Sequence, residues 1–235
     1  MRKYIRRIVG LFLAVTLLCA GCAGSGNKAS LKNVSQLPEY EKLSQLIGCT
    51  VDEAIEKMGW QADEVEPYDD LRIEYKTPLT VEYAGVSFRI WLMLNRAEQK
   101  IVRVNYRAEY QSAPETAAKE ILQVAQKLGR AIGQDTEAEL QDLDFVIFET
   151  TQAQLQETLE KKESMKMEIH WDLNEVADAS LKDFMNELKD TKSWQLYTER
   201  GWPPQYRLAM TISHIEETDT VYLQLGLCIA PDISQ

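Results

Sequence analysis

Residues 80–107 read TVEYAGVSFRIWLMLNRAEQKIVRVNYR. Val86, Phe88, Ile90, Leu92 and Leu94 fall on one side of an extended chain, with Ser87, Arg89, Trp91 and Met93 on the other. Period two is the strand period, because successive side chains on a strand point to opposite faces. Residues 95–100 are polar and turn-forming, and Ile101–Arg107 returns with Val102, Val104 and Tyr106 facing inwards. Strict alternation predicts antiparallel strands with one covered face, unlike the continuous apolar runs of a buried parallel sheet. The segment Thr80–Asn95 is expected to run as one strand of this meander.

Working outward, Leu71, Ile73 and Tyr75 alternate with Arg72, Glu74 and Lys76, and Pro78 marks a turn. Upstream, Thr50 and Glu53 form a capping box, Val51, Ala54, Ile55 and Met58 give an apolar face, and Gly59 ends the helix. Downstream, Ser112, Pro114 and Glu115 open the longest helix, to about Ile132. Its stripe of Ala118, Ile121, Leu122, Ala125 and Leu128 predicts that it covers the meander.

Asp135–Asp142 reads as an acidic connection and Leu143–Glu149 as a buried strand. Helices are expected at Thr151–Glu163 and Ser180–Lys189, with a strand at Met165–Asp172 between them. Trp194–Thr198, Tyr206–His214 and Thr220–Ile229 read as closing strands. The fold class is therefore α+β, an antiparallel sheet with helices packed on one face. It forms either one long sheet or two helix-on-sheet halves joined near residue 135.

The first residues carry an address. Arg2, Lys3, Arg6 and Arg7 form a basic segment, Ile8 to Leu18 is an uncharged apolar run, and Ala20, Gly21 and Cys22 follow. A run of that length suits a signal peptide, since a spanning helix needs about 20 residues. Ala20-Gly21-Cys22 resembles the lipobox of bacterial lipoproteins. The resemblance implies cleavage before Cys22 by signal peptidase II and a diacylglyceryl thioether on that cysteine. Where the pattern has leucine, this chain has Cys19, preceded by Leu17 and Leu18. Leu18 is too bulky for the position before a cleavage point at Cys19, so Cys22 is the expected attachment site. Two acyl chains meet the need that a single chain leaves unmet, since one binds membranes only marginally. The expected organisation is a signal peptide at 1–21, a small and polar tether at 22–36, and a folded body at 37–235.

Cleavage removes four bases, leaving 22 against 37 acids and a net charge of −15. Such a body is unsuited to nucleic acid, whose binding rests on neutralising phosphates. Nor is it drawn to an anionic bilayer, so the expected membrane contact runs through the lipid, on the extracytoplasmic face.

Chemistry is sparse. Cys49 and Cys228 form the candidate disulfide of an oxidising compartment, one that would tie the first helix to the last strand. Two histidines, His170 and His214, belong to no metal-ligand spacing. Asp135, Glu137 and Glu139 open like a calcium loop, but Leu140 and Val146 occupy its glycine and glutamate positions. No metal or cofactor is expected. Cys49 precedes a helix N-terminus, where a thiolate gains from the dipole, yet a packing role is the plainer reading.

One constellation stands out. Arg72, Arg89, Arg103 and Arg107 fall on the outward faces of neighbouring strands, with Trp91 among them. A basic sheet face with an exposed aromatic is a candidate binding face for a protein or an anionic ligand. Cross-strand pairing with Glu74, Glu82 and Glu109 is the structural alternative.

Gly48-Cys49-Thr50 with Glu53 and Ala54 resembles the G-M-T-x-x-E-V opening of β-lactamase-inhibitor-like domains, which continue into a small meander. About ten residues carry that likeness, with Cys49 in place of methionine. The leading expectation is a non-catalytic binding or scaffolding lipoprotein of the cell envelope. The alternatives are an envelope-directed hydrolase or transferase working through carboxylates, and a solute-binding lipoprotein, for which the chain is short.

Overall fold

The computed structural model describes residues 34–68, 73–131, 137–140, 147–161 and 165–231. The expected signal peptide, Cys22 and most of the expected tether therefore lie outside the described residues.

Thr80–Asn95 is two strands rather than one. Ala84 and Gly85 both take positive φ, 55° and 80°, the geometry that a two-residue hairpin needs to match strand twist. They join β2 (Glu74–Tyr83) to β3 (Val86–Leu94), with Tyr83 directly opposite Val86. Pro78 does not end a strand. It lies inside β2, where the register shifts between Lys76 and Thr80 and its missing N–H costs no ladder bond. Strand β1 (Glu66–Pro67) edges β2, and β4 (Ile101–Gln111) completes the meander.

Beyond it, β5 (Glu137–Leu140) occupies part of the expected acidic connection. Of the strand expected at Leu143–Glu149, the described residues 147–149 form a turn. Strand β6 (Met165–Asp172) stands where alternation placed it, followed by β7 (Pro204–Ile215) and β8 (Thr220–Pro231). Trp194–Thr198 is helical instead of extended, because Trp194 alone anchors it and its other apolar groups face outwards.

The eight described strands make one antiparallel sheet in the order β1-β2-β3-β4-β8-β7-β6-β5. The two halves expected around residue 135 are thus halves of one sheet, each laid down from its edge inwards and joined along β4 and β8. Nine residue pairs link those central strands, from Arg103–Cys228 to Gln111–Thr220.

Among the described residues six helices have both ends placed: α1 (Tyr40–Ser44), α2 (Val51–Met58), α3 (Pro114–Ala131), α4 (Gln152–Glu160), α5 (Ala179–Lys189) and α6 (Lys192–Glu199). The expected Thr50–Glu53 capping box is formed: Thr50 N–H donates to Glu53 Oε2 at 2.7 Å, and Glu53 N–H to Thr50 Oγ1 at 3.3 Å. Each of the six sends buried apolar side chains into a single core with Phe88, Ile90, Val104, Tyr106, Leu208, Leu225 and Leu227 of the sheet. This core lies on one face of the sheet.

The body begins earlier than 37. Val34 is fully buried, Tyr106 Oη donates to Pro38 O at 2.8 Å, and Tyr206 Oη donates to Tyr40 Oη at 3.3 Å. Residues 34–36 therefore belong to the folded unit, not to the expected tether.

Candidate functional site

The other face of the sheet carries the polar alternate residues, and register sorts them into rows. Met93, Arg103, Cys228, Arg207 and Asp172 lie across five successive strands. The next row is Trp91, Asn105, Gly226, Ala209 and His170, and the third is Arg89, Arg107, Gln224, Thr211 and Glu168. None of the described helices buries a side chain against these rows.

Their centre is nonetheless buried: Asn105, Arg207, Thr211 and Cys228 are each 6% exposed or less, and Arg103 lies across Gly226. Arg103 Nε donates to Asn105 Oδ1 at 2.8 Å and Nη2 to Thr211 Oγ1 at 3.3 Å. Its Nη1 stands 3.9 Å from Glu168 Oε1, which is also 3.9 Å from His170 Nε2. Arg207, only 5% exposed, donates to Gln205 Oε1 from Nη2 at 3.0 Å. Cys228 lies between the two arginines. Burial pushes its thiol up, and Arg103 and Arg207 only partly offset this. The protonated thiol is the resting form and a poor nucleophile.

Arg107 has a different setting. Its guanidinium lies 4.5 Å from the Trp91 ring, 4.3 Å from Tyr222 and 5.6 Å from Tyr68. Glu109 and Glu74 flank it at 3.1 and 3.9 Å. Such stacking suits arginine, whose weakly hydrated planar cation sits well on aromatic faces.

Four of the five residues of the expected binding face thus share one surface: Arg89, Trp91, Arg103 and Arg107. Arg72 lies outside the described residues. Trp91 is not an exposed platform, being 5% exposed beneath Arg107 and edge-on to Tyr68. Arg89 remains exposed, directly opposite Arg107. No family model, curated protein or solved structure matches this chain.

Arg207, Glu168, His170 and Tyr222 belong to the same surface but were not part of the expected face. Alternation along β6 marks Glu168 and His170 as facing away from Met167 and Ile169. What sequence spacing does not give is the β4–β8 pairing, which brings residues more than a hundred positions apart side by side.

The two cysteines do not form the expected disulfide; both are free and buried. Cys228 lies on the polar face, whereas Cys49 packs in the helix-side core, so the sheet itself separates them. Cys49 borders a groove of about 740 Å³ between α2 and α5, lined also by Glu53, Lys57, Asp183, Phe184 and Glu187. Its thiol donates to Gln45 O at 3.4 Å and accepts from Lys57 Nζ at 3.1 Å. A Cys–His pair is ruled out by placement. His170 stands on the opposite face of the sheet. His214 is level with Tyr110 through Val221, nine residues along β4 from Ile101, the backbone partner of Cys49, or about 30 Å. Among the described residues no cluster of His, Cys, Asp or Glu has the make-up of a metal site.

Proposed function

We propose that the chain is an extracytoplasmic lipoprotein, held at the cell membrane by lipid on Cys22, whose body acts by binding. The proposed binding surface is the polar sheet face, and its occupant an anionic protein segment or ligand. One observation carries this reading: Arg89, Arg103 and Arg107 lie on adjacent strands, with the buried Arg207 level with Arg103, on a face that the described helices leave uncovered. Arg103 and Arg107 are held in fixed poses by Asn105, Thr211 and the aromatic stack, which lowers the entropy lost on binding. Arg89 is the exposed cation beside them, placed to make first contact.

The carboxylates on this surface favour binding over hydrolysis. Glu74 and Glu109 are engaged with Arg107, and Glu168 with Arg103. A general acid–base pair needs carboxyl groups facing a shared substrate instead.

The test is proximity labelling in the native cell with wild type and Arg89→Glu, whose exposed position leaves folding intact. Loss of a reproducibly labelled envelope component in the variant supports the face as the site. Identical labelling removes it. A Cys22→Ala chain tests the anchor separately, by loss of the lipid mass and of membrane fractionation.

A further inference from the structure

Helix α6 is oriented against its own composition. Of Trp194, Leu196 and Tyr197, only Trp194 is buried, while Leu196 is 52% and Tyr197 38% exposed. The chain then turns at Gly201, φ 82°, so that Trp202 N–H donates to Tyr197 O at 2.8 Å. Arg200 lies over the half-buried Trp202 ring at 6.0 Å. Leu196, Tyr197, Arg200 and Trp202 thus lie together at the end of α6 and the turn that follows it, two exposed apolar side chains beside a cation stacked on a half-buried indole.

We propose that this surface docks on the lipid bilayer interface when the chain is anchored. The proposal rests on the lipid-anchor reading of Cys22. Val34 is already in the core, so eleven residues separate it from Cys22, a span of at most about 40 Å. A body of some 200 residues has a radius of gyration of about 16 Å, so the tether keeps it within one body diameter of the membrane. At that distance a surface too weak to bind vesicles from solution is held at high effective concentration. Local charge does not oppose contact by this face. The mature chain is strongly acidic, but between Thr191 and Trp202 two bases, Lys192 and Arg200, stand against one acid, Glu199. Tryptophan, tyrosine and arginine are also the side chains that suit the headgroup level, with an apolar body and a polar end.

The test couples the chain beginning at Cys22 to phosphatidylcholine vesicles carrying a maleimide-headgroup lipid. Cys49 and Cys228 are buried, which directs coupling to Cys22, and a Cys22→Ser chain is the blank. Tryptophan fluorescence is compared between vesicles with ordinary and with brominated acyl chains. The expected result is lower fluorescence on brominated vesicles, a difference abolished by Trp202→Phe and reduced by Leu196→Ser with Tyr197→Ser, all with unchanged circular dichroism. Equal fluorescence on both vesicles at full coupling overturns the proposal. So does quenching that survives these variants, or a dimer in solution that the same variants dissolve. Chemical coupling does not depend on the cell attaching lipid. Absence of lipid on Cys22 in cells would therefore sink the anchor reading without touching this measurement.

Discussion

Arg103 lays its guanidinium across Gly226, so closely that a Cβ on the glycine would overlap Arg103 Nε and stand 2.8 Å from Asn105 Oδ1. Gly226 has ordinary strand backbone, so its missing side chain supplies space, not conformational freedom. Gly226→Ala should displace Arg103 from Asn105 and Thr211 and cost about 1–3 kcal/mol. Replacing Arg103 with alanine in that background should recover part of the loss, since the collision disappears. Urea unfolding of the four proteins in the cycle measures this coupling. Additive effects would show that the close approach is tolerated by a small shift.

Arg107 is held by shape as much as by charge. Lysine keeps the charge but loses the flat contact with Trp91 and Tyr222, so Arg107→Lys should lower stability by about 1–2 kcal/mol. Thermal melts at low and moderate salt check it. A lysine variant as stable as wild type would mean that Glu74 and Glu109 alone hold the position.

The contrast between these two arginines shows what the sequence could reveal. Alternation in Val86–Leu94 and Ile101–Arg107 was enough to put Arg89, Trp91, Arg103 and Arg107 on one face, because strand period depends on local geometry alone. Their environments were not legible. Trp91 is buried because Arg107 and Tyr68 cover it, and Arg103 is wired to Thr211 through a pairing of β4 with β8 that no local pattern encodes. Other misses have local causes. Ala84-Gly85 lacks the asparagine or aspartate that usually announces a tight hairpin, and Pro78 looked like a turn because the register shift that accommodates it leaves no sequence mark. In Trp194–Thr198 an exposed Leu196–Tyr197 pair blurs the helical period, so the sequence there imitates a strand.

The cysteines provide a direct check on the sheet topology. Cys49 and Cys228 occupy opposite faces, so oxidative treatment of the folded protein should leave both as thiols. In the Cys22→Ser chain, a thiol reagent should label neither position quickly in buffer and both in denaturant. A product whose mass changes on reduction, with a peptide joining Cys49 to Cys228, would contradict the register of β8.

Alkaline pH should unfold the body through its tyrosines. Burial raises Tyr83 from 10.0 to about 12, and it is also the first cause of the raised values of Tyr40, Tyr106, Tyr110 and Tyr206. Tyr110 gains further from donating to Glu120 Oε2 at 2.8 Å, a bond that its ionised form cannot make. The folded state thus holds these protons more tightly than the unfolded chain does. Below pH 10 both states are protonated and the stability is fully present. As pH rises from 10 towards 12 the unfolded chain ionises first and that stability is lost. Tyrosinate absorbance should therefore rise in a cooperative step that coincides with loss of the far-ultraviolet circular dichroism. Tyr106→Phe should also lose the bond to Pro38 that pins the start of the body, lowering stability at neutral pH by about 1 kcal/mol. Gradual ionisation near pH 10 with the circular dichroism intact would show that these hydroxyls reach solvent without unfolding.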